Sequence, residues 1–409
     1  MNKKIKYINN DYNLGIVIDW TMVMKELKKL IEPYVADNYV PEPPWNSANW
    51  FVDCSERSVG KTTQYLLIGM ILNKYYGITV EYLRLHKDQI RPIHLRDLFS
   101  TIDNPDYEYV KKITDGKYNS ILYDSKRFYY CNRDEKGNIN KVDIAAECFC
   151  HVEATDNVDN IKSLYNNSKA SYVILDEFIN ASGVNREMDF LNLCQVLSTY
   201  RRNRLDMKIV LLANTINPYN QLFKELCVSD DIRKLKLGED KVVNTPLGTN
   251  VWIHLVAFDK KVTEKRLFNN LQYFGFKNPK LSSINGGQEW AIKNYPHLHP
   301  VDIYNNEERK LIYRDCYLRH YDKLLSLELW YSTTIGTYLY VHEMTTTPKL
   351  PMRIYTLDTP KNRIEKYGIG NGDKLDNMIF DKWKEKRIFF SSNNIGNLFE
   401  NYLMQIAKR

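Results

Sequence analysis

Residues Ser55–Thr62 (SERSVGKT) have the types and spacing of a loop that binds phosphate groups. Gly60, Lys61 and Thr62 match the end of the pattern GxxxxGK[ST], whereas Ser55 replaces its first glycine. In such a loop, backbone N–H groups and a helix N-terminus face phosphate oxygens, the lysine contacts the β- and γ-phosphates, and the hydroxyl ligates Mg²⁺. The predicted nucleotide-binding residues here are Ser55, Glu56, Arg57, Ser58, Val59, Gly60, Lys61, Thr62 and Thr63.

A second motif, Val173–Glu177 (VILDE), is an apolar segment that ends in two carboxylates. Asp176 is expected to bind nucleotide and to hold Mg²⁺ together with Thr62, partly through water, and Glu177 to polarise the attacking water. In an open α/β sheet, the carboxyl ends of parallel strands face the ligand crevice, so a strand that ends there brings both acids to the phosphates. The alternative, a surface turn with two acids, is disfavoured because the two motifs occur in the expected order.

Asn214 follows another apolar strand, Lys208–Ala213 (KIVLLA). An amide at the end of that strand would lie beside the γ-phosphate and could position the attacking water. An equally good alternative is that Asn214 or Thr215 caps the helix expected after Pro218.

A basic segment, Thr199–Arg204 (TYRRNR), lies between a predicted helix and that strand. Phosphoryl transfer needs positive charge on the departing phosphate, and an arginine of a neighbouring subunit often supplies it. The alternative is a solvated basic turn.

Strands and helices alternate around these motifs. Strands are predicted at Trp50–Asp53, Thr79–Arg84, Ser171–Asp176 and Lys208–Ala213, and helices at Thr21–Glu32, Thr62–Tyr75 and Arg186–Tyr200. This alternation indicates an α/β fold with a mostly parallel sheet and helices on both faces.

The length of 409 residues suits two domains rather than one. We predict an N-terminal extension at 1–45, a P-loop domain at 46–230 and a C-terminal domain at 231–409, because the alternation is lost after about residue 227. Within the last of these, Thr337–His342 and Arg353–Leu357 are predicted to be two strands joined by TTTPKLP.

The formal net charge of +7 is mildly basic and permits a polyanionic partner without requiring one. Seven cysteines without a CxxC pair indicate reduced thiols in a cytoplasm. A metal site at Cys148–His151 (CFCH) is disfavoured, because no second ligand pair follows at zinc spacing and the residues alternate like a buried strand. The sequence has neither a signal peptide nor an apolar run of membrane-spanning length.

The motifs together resemble those of the DNA-packaging ATPases, or encapsidation proteins, of small short-tailed phages of the phi29-like group. The resemblance is carried by VILDEFI (Val173–Ile179), TYRRNR and KIVLLANTINPYN (Lys208–Asn220), in this order after the P-loop. It implies an ASCE-type P-loop ATPase domain followed by a smaller α+β domain with an RNase H-like fold. It also implies a ring, usually a pentamer, that threads double-stranded DNA through a portal into a preformed procapsid.

The family resemblance also implies roles for individual residues. Glu177 matches the catalytic glutamate, and Arg202, with Arg204 as second choice, resembles an arginine finger that acts on a neighbour's site. Lys162 resembles a lysine that also reaches a neighbouring site. Arg84 and Lys87 occupy the position of a basic stretch that faces the DNA channel; a solvated loop is the alternative for Lys87.

The predicted function is therefore ATP-driven packaging of viral double-stranded DNA, with ATP and Mg²⁺ as cofactors. The expected location is the host cytoplasm and, transiently, the portal vertex, and some relatives also use a packaging RNA. Nuclease activity is not expected, because Glu343 and Asp358 have no obvious third acidic partner. The alternatives are another P-loop translocase or helicase, and a non-hydrolysing module that binds nucleic acid or capsid and keeps a relict P-loop.

Overall fold

In the computed structural model, the chain folds into two compact units, residues 1–290 and residues 291–409. The structure describes residues 7–10, 13–32, 39–54, 60–164, 170–179, 185, 187–201, 206–214, 220–256, 295–304, 306–314, 316–320, 323–344, 353–357, 360–368 and 374–407. Within these ranges, no helix combines the length and the apolar character needed to cross a membrane.

The first unit alternates strands with helices, as predicted. Its described strands are β1 (Tyr7–Asn10), β2 (Asn13–Ile16), β3 (Trp50–Cys54), β4 (Thr79–Arg84), β5 (Ser120–Asp124), β6 (Arg127–Arg133), β7 (Ile139–Ile144), β8 (Cys150–Ala154), β9 (Ala170–Asp176), β10 (Lys208–Ala213), β11 (Asp240–Asn244) and β12 (Asn250–Leu255). Its described helices are α1 (Trp20–Ile31), α2 (Lys61–Tyr76), α3 (Pro92–Leu95), α4 (Tyr109–Ile113), α5 (Val158–Leu164), α6 (Glu187–Arg201), α7 (Gln221–Glu225) and α8 (Ser229–Lys234).

One large sheet organises this unit, with the order β11-β12-β3-β10-β9-β4-β8-β6-β5 and with β7 paired to β6. The strands from β12 to β8 are parallel. Phe51 and Tyr82 belong to a core shared with α1 and α2 on one face, whereas Val52 and Leu83 belong to a core shared with α6 and α7 on the other. The predicted α/β architecture is therefore confirmed.

The strand order identifies the class of P-loop fold. The five central strands lie side by side in the order β12, β3, β10, β9, β4. If β3, the strand before the phosphate loop, is counted as the first of these five along the chain, this order is fifth, first, fourth, third, second. In the ASCE class, a strand is inserted between the phosphate-loop strand and the strand that carries the acidic motif, and β10 is that strand here. The order brings the carboxyl ends of β3, β10, β9 and β4 to one edge of the sheet.

Helix α2 is apolar around most of its circumference because it is packed between α1 and the sheet. Residues Tyr65–Leu72 on this helix are all buried. Its approach to the sheet depends on Gly69, since a Cβ atom at this position would lie 2.4 Å from Cγ2 of Val80 on β4. The missing side chain lets the helix that starts at the phosphate loop pack directly against β4.

Helix α1 packs against α2 in the core of the first unit. It begins after Asp19, whose side chain caps the helix by accepting a hydrogen bond from the Met22 N–H. Trp20 stacks on Trp45, with 4.2 Å between ring centroids. The described part of residues 1–45 thus belongs to the first unit rather than to a separate extension.

The predicted domain boundary near residue 230 lies too early. Strand β12 pairs in parallel with β3, with Val251 opposite Trp50 and Leu255 opposite Cys54. Because β11 and β12 form a hairpin at the edge of this sheet, the first sheet continues through Leu255. The compact units divide between residues 290 and 291.

The second unit is a mixed α/β structure around one sheet. Its described strands are β13 (Arg309–Tyr313), β14 (Cys316–His320), β15 (Lys323–Ser332), β16 (Gly336–Glu343), β17 (Arg353–Thr356), β18 (Glu365–Tyr367) and β19 (Ile388–Phe390). Its described helices are α9 (Pro300–Tyr304), α10 (Lys374–Lys384) and α11 (Asn393–Ala407).

The strand order of this sheet is β18-β17-β14-β15-β16-β19, with β13 also paired to β15. Strands β14, β15 and β16 form an antiparallel meander, and β17 and β18 continue the sheet in parallel from β14. If β14 is counted as the first strand, then β16, β15, β14, β17 and β18 lie side by side in the order third, second, first, fourth, fifth. This is the strand order of the RNase H-like fold. The predicted strands β16 and β17 exist but do not pair with each other, because β16 lies between β15 and β19.

Candidate active site

Lys61 is the first residue of α2 and lies at the carboxyl edge of the first sheet. Gly60, which precedes it, has φ 82° and ψ 11°, a left-handed conformation that favours glycine. The Lys61 ammonium donates to the carbonyl oxygen of Ala213 at 2.9 Å and to Oδ1 of Asn214 at 3.2 Å. Burial lowers the pKa of Lys61, and the nearby carboxylates of Asp53 and Asp176 oppose that shift.

Asn214 therefore lies at the site, as one of its two predicted interpretations requires. The competing interpretation assigned the helix cap to Asn214 or Thr215. Helix α7 instead begins after Asn220, whose side chain accepts a hydrogen bond from the Leu222 N–H. The amide of Asn214 is thus left to contact Lys61.

The two predicted Mg²⁺ ligands are in direct contact. Thr62 Oγ1 donates to Asp176 Oδ2 at 3.0 Å, across the space between α2 and the end of β9. Tyr82 on the neighbouring strand β4 donates to the same oxygen at 2.8 Å. Burial and the nearby Asp176 raise the pKa of the Tyr82 hydroxyl well above its ordinary value, so this group remains a donor at neutral pH.

Arg84, at the end of β4, is paired with both acids of the second motif. Its guanidinium lies 2.6 Å from Glu177 Oε2 and 3.7 Å from Asp176 Oδ2. Burial acts to lower the pKa of Arg84, but Tyr82, Asp176 and Glu177 raise it above its ordinary value, so it stays charged. This guanidinium contacts the acidic motif, and the predicted contact of Arg84 with DNA stays a prediction.

Glu177 has an unusual backbone that sets its direction. Its φ of 53° is left-handed, which is uncommon outside glycine. Its N–H donates to Asp176 Oδ1 at 3.0 Å. Strained positions of this kind persist only where the surroundings hold them, and they cluster at functional sites.

A buried polar cluster that the sequence did not reveal lies around Asp53, at the strand before the phosphate-loop motif. Asp53 on β3 is fully buried and accepts hydrogen bonds from Tyr39 and Tyr65, each at 2.7 Å. His254 on β12 lies 3.3 Å from its other oxygen. Since Tyr65 is on α2, Asp53 ties the strand before the phosphate loop to the helix after it.

Several predicted site residues lie outside the described ones. These are Ser55, Glu56, Arg57, Ser58 and Val59 of the loop, Arg202 and Arg204 of the basic segment, and the side chain of Lys162, which belongs to α5. Thr63 follows Thr62 on α2 and is half-buried.

Lys87, predicted to contact DNA, is exposed at the turn after β4. Its backbone N–H donates to the carboxylate of Asp156 at 3.1 and 3.2 Å. The turn is thus anchored while the lysine side chain faces solvent.

In the second unit, the described acids Glu328 and Glu343 are each paired with cationic side chains. Glu328 on β15 is buried and accepts from Arg314, Trp330 and Tyr304, each at 2.9 Å, and contacts His342 at 3.2 Å. Glu343 is ion-paired with Lys323, and Asp358 lies outside the described residues. Strand β14, at the centre of this sheet, carries no carboxylate (CYLRH).

Comparison with known proteins rests on structure. No family model matches the chain, and no curated protein sequence matches it. The fold is similar to that of the Phi-28 gp11 DNA packaging motor, with a TM-score of 0.51 and 14% identity over 90% of this chain and 97% of the other. It is similar to a chain of the bacteriophage Phi-29 viral genome packaging motor assembly, with a TM-score of 0.50 and 15% identity over 90% of this chain and 100% of the other. The predicted resemblance is therefore confirmed at the level of the fold, across both units.

Proposed function

We propose that this protein is the ATPase of a viral genome-packaging motor, which moves double-stranded DNA into a preformed procapsid. The observation that carries the proposal is the meeting of Lys61, Thr62, Asp176 and Glu177 at one edge of an ASCE sheet. The fold of the chain over 90% of its length, shared with two packaging motors, supports the choice of motor. A fold alone does not fix a function, so the argument rests on the site.

The residues present fit a nucleoside triphosphate with Mg²⁺. Thr62 and Asp176 offer the hydroxyl and carboxylate oxygens that Mg²⁺ prefers, 3.0 Å apart. The bound ion would neutralise charge on the β- and γ-phosphate oxygens. Lys61 would exchange its contacts with Ala213 and Asn214 for phosphate oxygens, and the N-terminus of α2 favours negative charge at that place.

Glu177 is proposed to orient and polarise the water that attacks the γ-phosphate. It stands one residue after Asp176, so both acids project from the end of the same strand. Asn214, at the end of the neighbouring strand, would be released by Lys61 when the phosphates bind and would then help to position that water. Arginines 202 and 204 and Lys162 are proposed to act on the site of an adjacent subunit, in a ring that docks on the portal.

Arg84 is proposed to set the position of Glu177 according to whether DNA is bound. It pairs with Glu177 at 2.6 Å and stands three residues before Lys87, which faces solvent and is proposed to contact DNA phosphates. A movement of the turn at Lys87–Ile90 would therefore reach Arg84 through the end of β4. The pair connects a candidate DNA contact to the candidate catalytic carboxylate.

We expect Arg84→Ala to raise ATP turnover without DNA by about tenfold and to reduce the stimulation by DNA towards none, because Glu177 loses the guanidinium that holds it. Arg84→Lys should give an intermediate result, since one ammonium does not bridge two carboxylates as a guanidinium does. The matched control is Arg91→Ala, which removes an exposed pair with Asp88 in the same segment. Unchanged stimulation by DNA in Arg84→Ala would contradict this role.

The proposed function is tested by measuring ATP turnover of the full chain alone, with double-stranded DNA, with portal-bearing procapsids, and with both. A packaging motor should be most active with both, and the DNA should become resistant to added nuclease only when ATP is present. Lys61→Ala, which removes the phosphate contact, should abolish both signals. Turnover that depends on DNA but not on procapsids would favour another translocase or a helicase, and absence of turnover under all conditions would favour a relict module.

The second unit is proposed to bind nucleic acid or the procapsid without cutting DNA. The buried Glu328 is surrounded by donors, Glu343 is paired with Lys323, and β14 lacks a carboxylate. A metal-dependent nuclease needs acids that remain open to the ion. Cleavage of supercoiled DNA by the purified chain with Mg²⁺ or Mn²⁺ would contradict this.

A further inference from the structure

A cysteine, a histidine and a glutamate form a contact chain in the first unit, apart from the candidate nucleotide site. Cys148 Sγ lies 2.8 Å from Nε2 of His151, and Nδ1 of the same ring lies 3.1 Å from Oε1 of Glu81. His151 is on β8, Glu81 is on β4, and Cys148 stands just before β8. Cys148 and His151 belong to the CFCH segment, which the sequence alone did not connect to a function.

The sheet register explains why these groups meet. His151 is opposite Glu81 in the parallel pairing of β8 with β4, and opposite Arg127 in the antiparallel pairing of β8 with β6. Cα partners in neighbouring strands point to the same face, so the three side chains form one row. The imidazole therefore lies between the carboxylate on β4 and the strand β6, which carries the arginine.

The contact chain has the order that activates a nucleophile: a sulfur, a base within hydrogen-bond reach, and a third group that orients the base. Only 1% of Glu81 is exposed, so its position is fixed by the core. Burial acts to lower the pKa of His151, but the hydrogen bonds with Cys148 and Glu81 raise it to about 10. The Nε2 atom of this ring lies 2.8 Å from the sulfur and is therefore placed to take up a proton when the sulfur reacts.

This geometry does not suit a metal ion, because the imidazole lies between the sulfur and the carboxylate and both of its nitrogens are engaged.

The surroundings of Cys148 also differ from those of the other cysteines. Cys54, Cys131, Cys150 and Cys316 are buried, and Cys194 is half-buried with a pKa that burial raises. Cys227 is exposed, and the contact recorded for its sulfur is a backbone carbonyl at 3.8 Å.

We propose that Cys148 is a reactive thiol, activated by His151 and Glu81, and that it is the site at which hydroperoxides oxidise this protein. The sulfur attacks one peroxide oxygen, so that an S–O bond forms and the O–O bond breaks. The thiol proton passes to His151 Nε2 and from there to the leaving oxygen, which departs as water or an alcohol. An electron pair moves from sulfur to the peroxide, which leaves Cys148 as a sulfenic acid.

The test uses the native full chain, dilute hydrogen peroxide and dimedone, which traps sulfenic acids, with adducts quantified for each cysteine by mass spectrometry. We expect Cys148 to be trapped at least about tenfold faster than Cys227, although Cys227 is more exposed. His151→Gln should lower the Cys148 rate to about that of Cys227. Cys148→Ser should remove the fast adduct.

A control independent of any variant is the same reaction in urea, where unfolding removes the histidine contact and the two rates should become equal. This comparison remains decisive if His151→Gln fails to fold. Equal rates for Cys148 and Cys227 in the native chain would overturn the proposal. A folded His151→Gln variant that keeps fast oxidation at Cys148 would overturn it as well.

Discussion

Glu177→Gln is expected to lower ATP turnover by a factor of about 10²–10⁴ while ATP still binds. The substitution keeps the size of the side chain and removes the negative charge that polarises water. It would leave unchanged Lys61, Thr62 and Asp176, the residues proposed to hold the phosphates and Mg²⁺. The loss should therefore appear in the turnover number and not in the affinity for ATP, which is the signature of an interaction made only in the transition state.

Two measurements check this prediction: steady-state phosphate release with saturating procapsid and DNA, and binding of a fluorescent ATP analogue. Glu135→Gln is the matched control, since Glu135 is exposed in the turn between β6 and β7, away from the carboxyl edge of β9. Lys61→Ala should show the opposite pattern, with loss of binding as well as turnover. Wild-type turnover in Glu177→Gln would remove Glu177 from the catalytic role.

The central part of the fold could be predicted because its signals are local. The strands β9 and β10 are short apolar runs with defined ends, and β10 has the predicted bounds Lys208–Ala213. The two motifs also occur along the chain in the expected order. Once the strands are known to be parallel, the contact between Thr62 and Asp176 follows from that order. Nothing beyond spacing and hydrophobicity is needed for this part.

The features that the sequence did not predict depend on long-range pairing. Strand β12 completes the first sheet next to β3, whose sequence position is about 200 residues earlier, and no local pattern announces that partner. Arg84 was also not predicted to pair with Glu177. Its place beside Glu177 follows from the adjacency of β4 and β9, which only the sheet order reveals.

The charge at the site leads to the second large prediction. Among the described residues, the site contains the cationic side chains of Lys61 and Arg84. Lys61 donates hydrogen bonds to Ala213 and Asn214, and Arg84 is paired with Asp176 and Glu177. Because Arg84 is paired with the two carboxylates, a further positive charge is needed to stabilise the departing γ-phosphate. Asp206 is the first described residue after the basic segment. Its side chain accepts a hydrogen bond from Ser171 at the start of β9, which is the end of this strand opposite Asp176. We therefore expect Arg202 to serve the site of the next subunit.

Arg202→Ala is expected to lower turnover by about 10³-fold or more, because a trans-acting arginine contributes on that scale. Mixing Arg202→Ala subunits with Glu177→Gln subunits should restore activity. At the interfaces where an Arg202→Ala subunit supplies Glu177 and its neighbour supplies Arg202, the site is complete. In an equal mixture this holds for about a quarter of the interfaces of a head-to-tail ring.

The control mixture pairs Glu177→Gln with Lys61→Ala. Both of these groups belong to the same side of the interface, so no mixed interface contains a complete site and no activity should return. Recovery in the first mixture and none in the second assigns Arg202 to the neighbouring site. Recovery in neither would mean that Arg202 acts within its own subunit or not at all, and Arg204→Ala, mixed in the same way, then tests the second arginine of the segment.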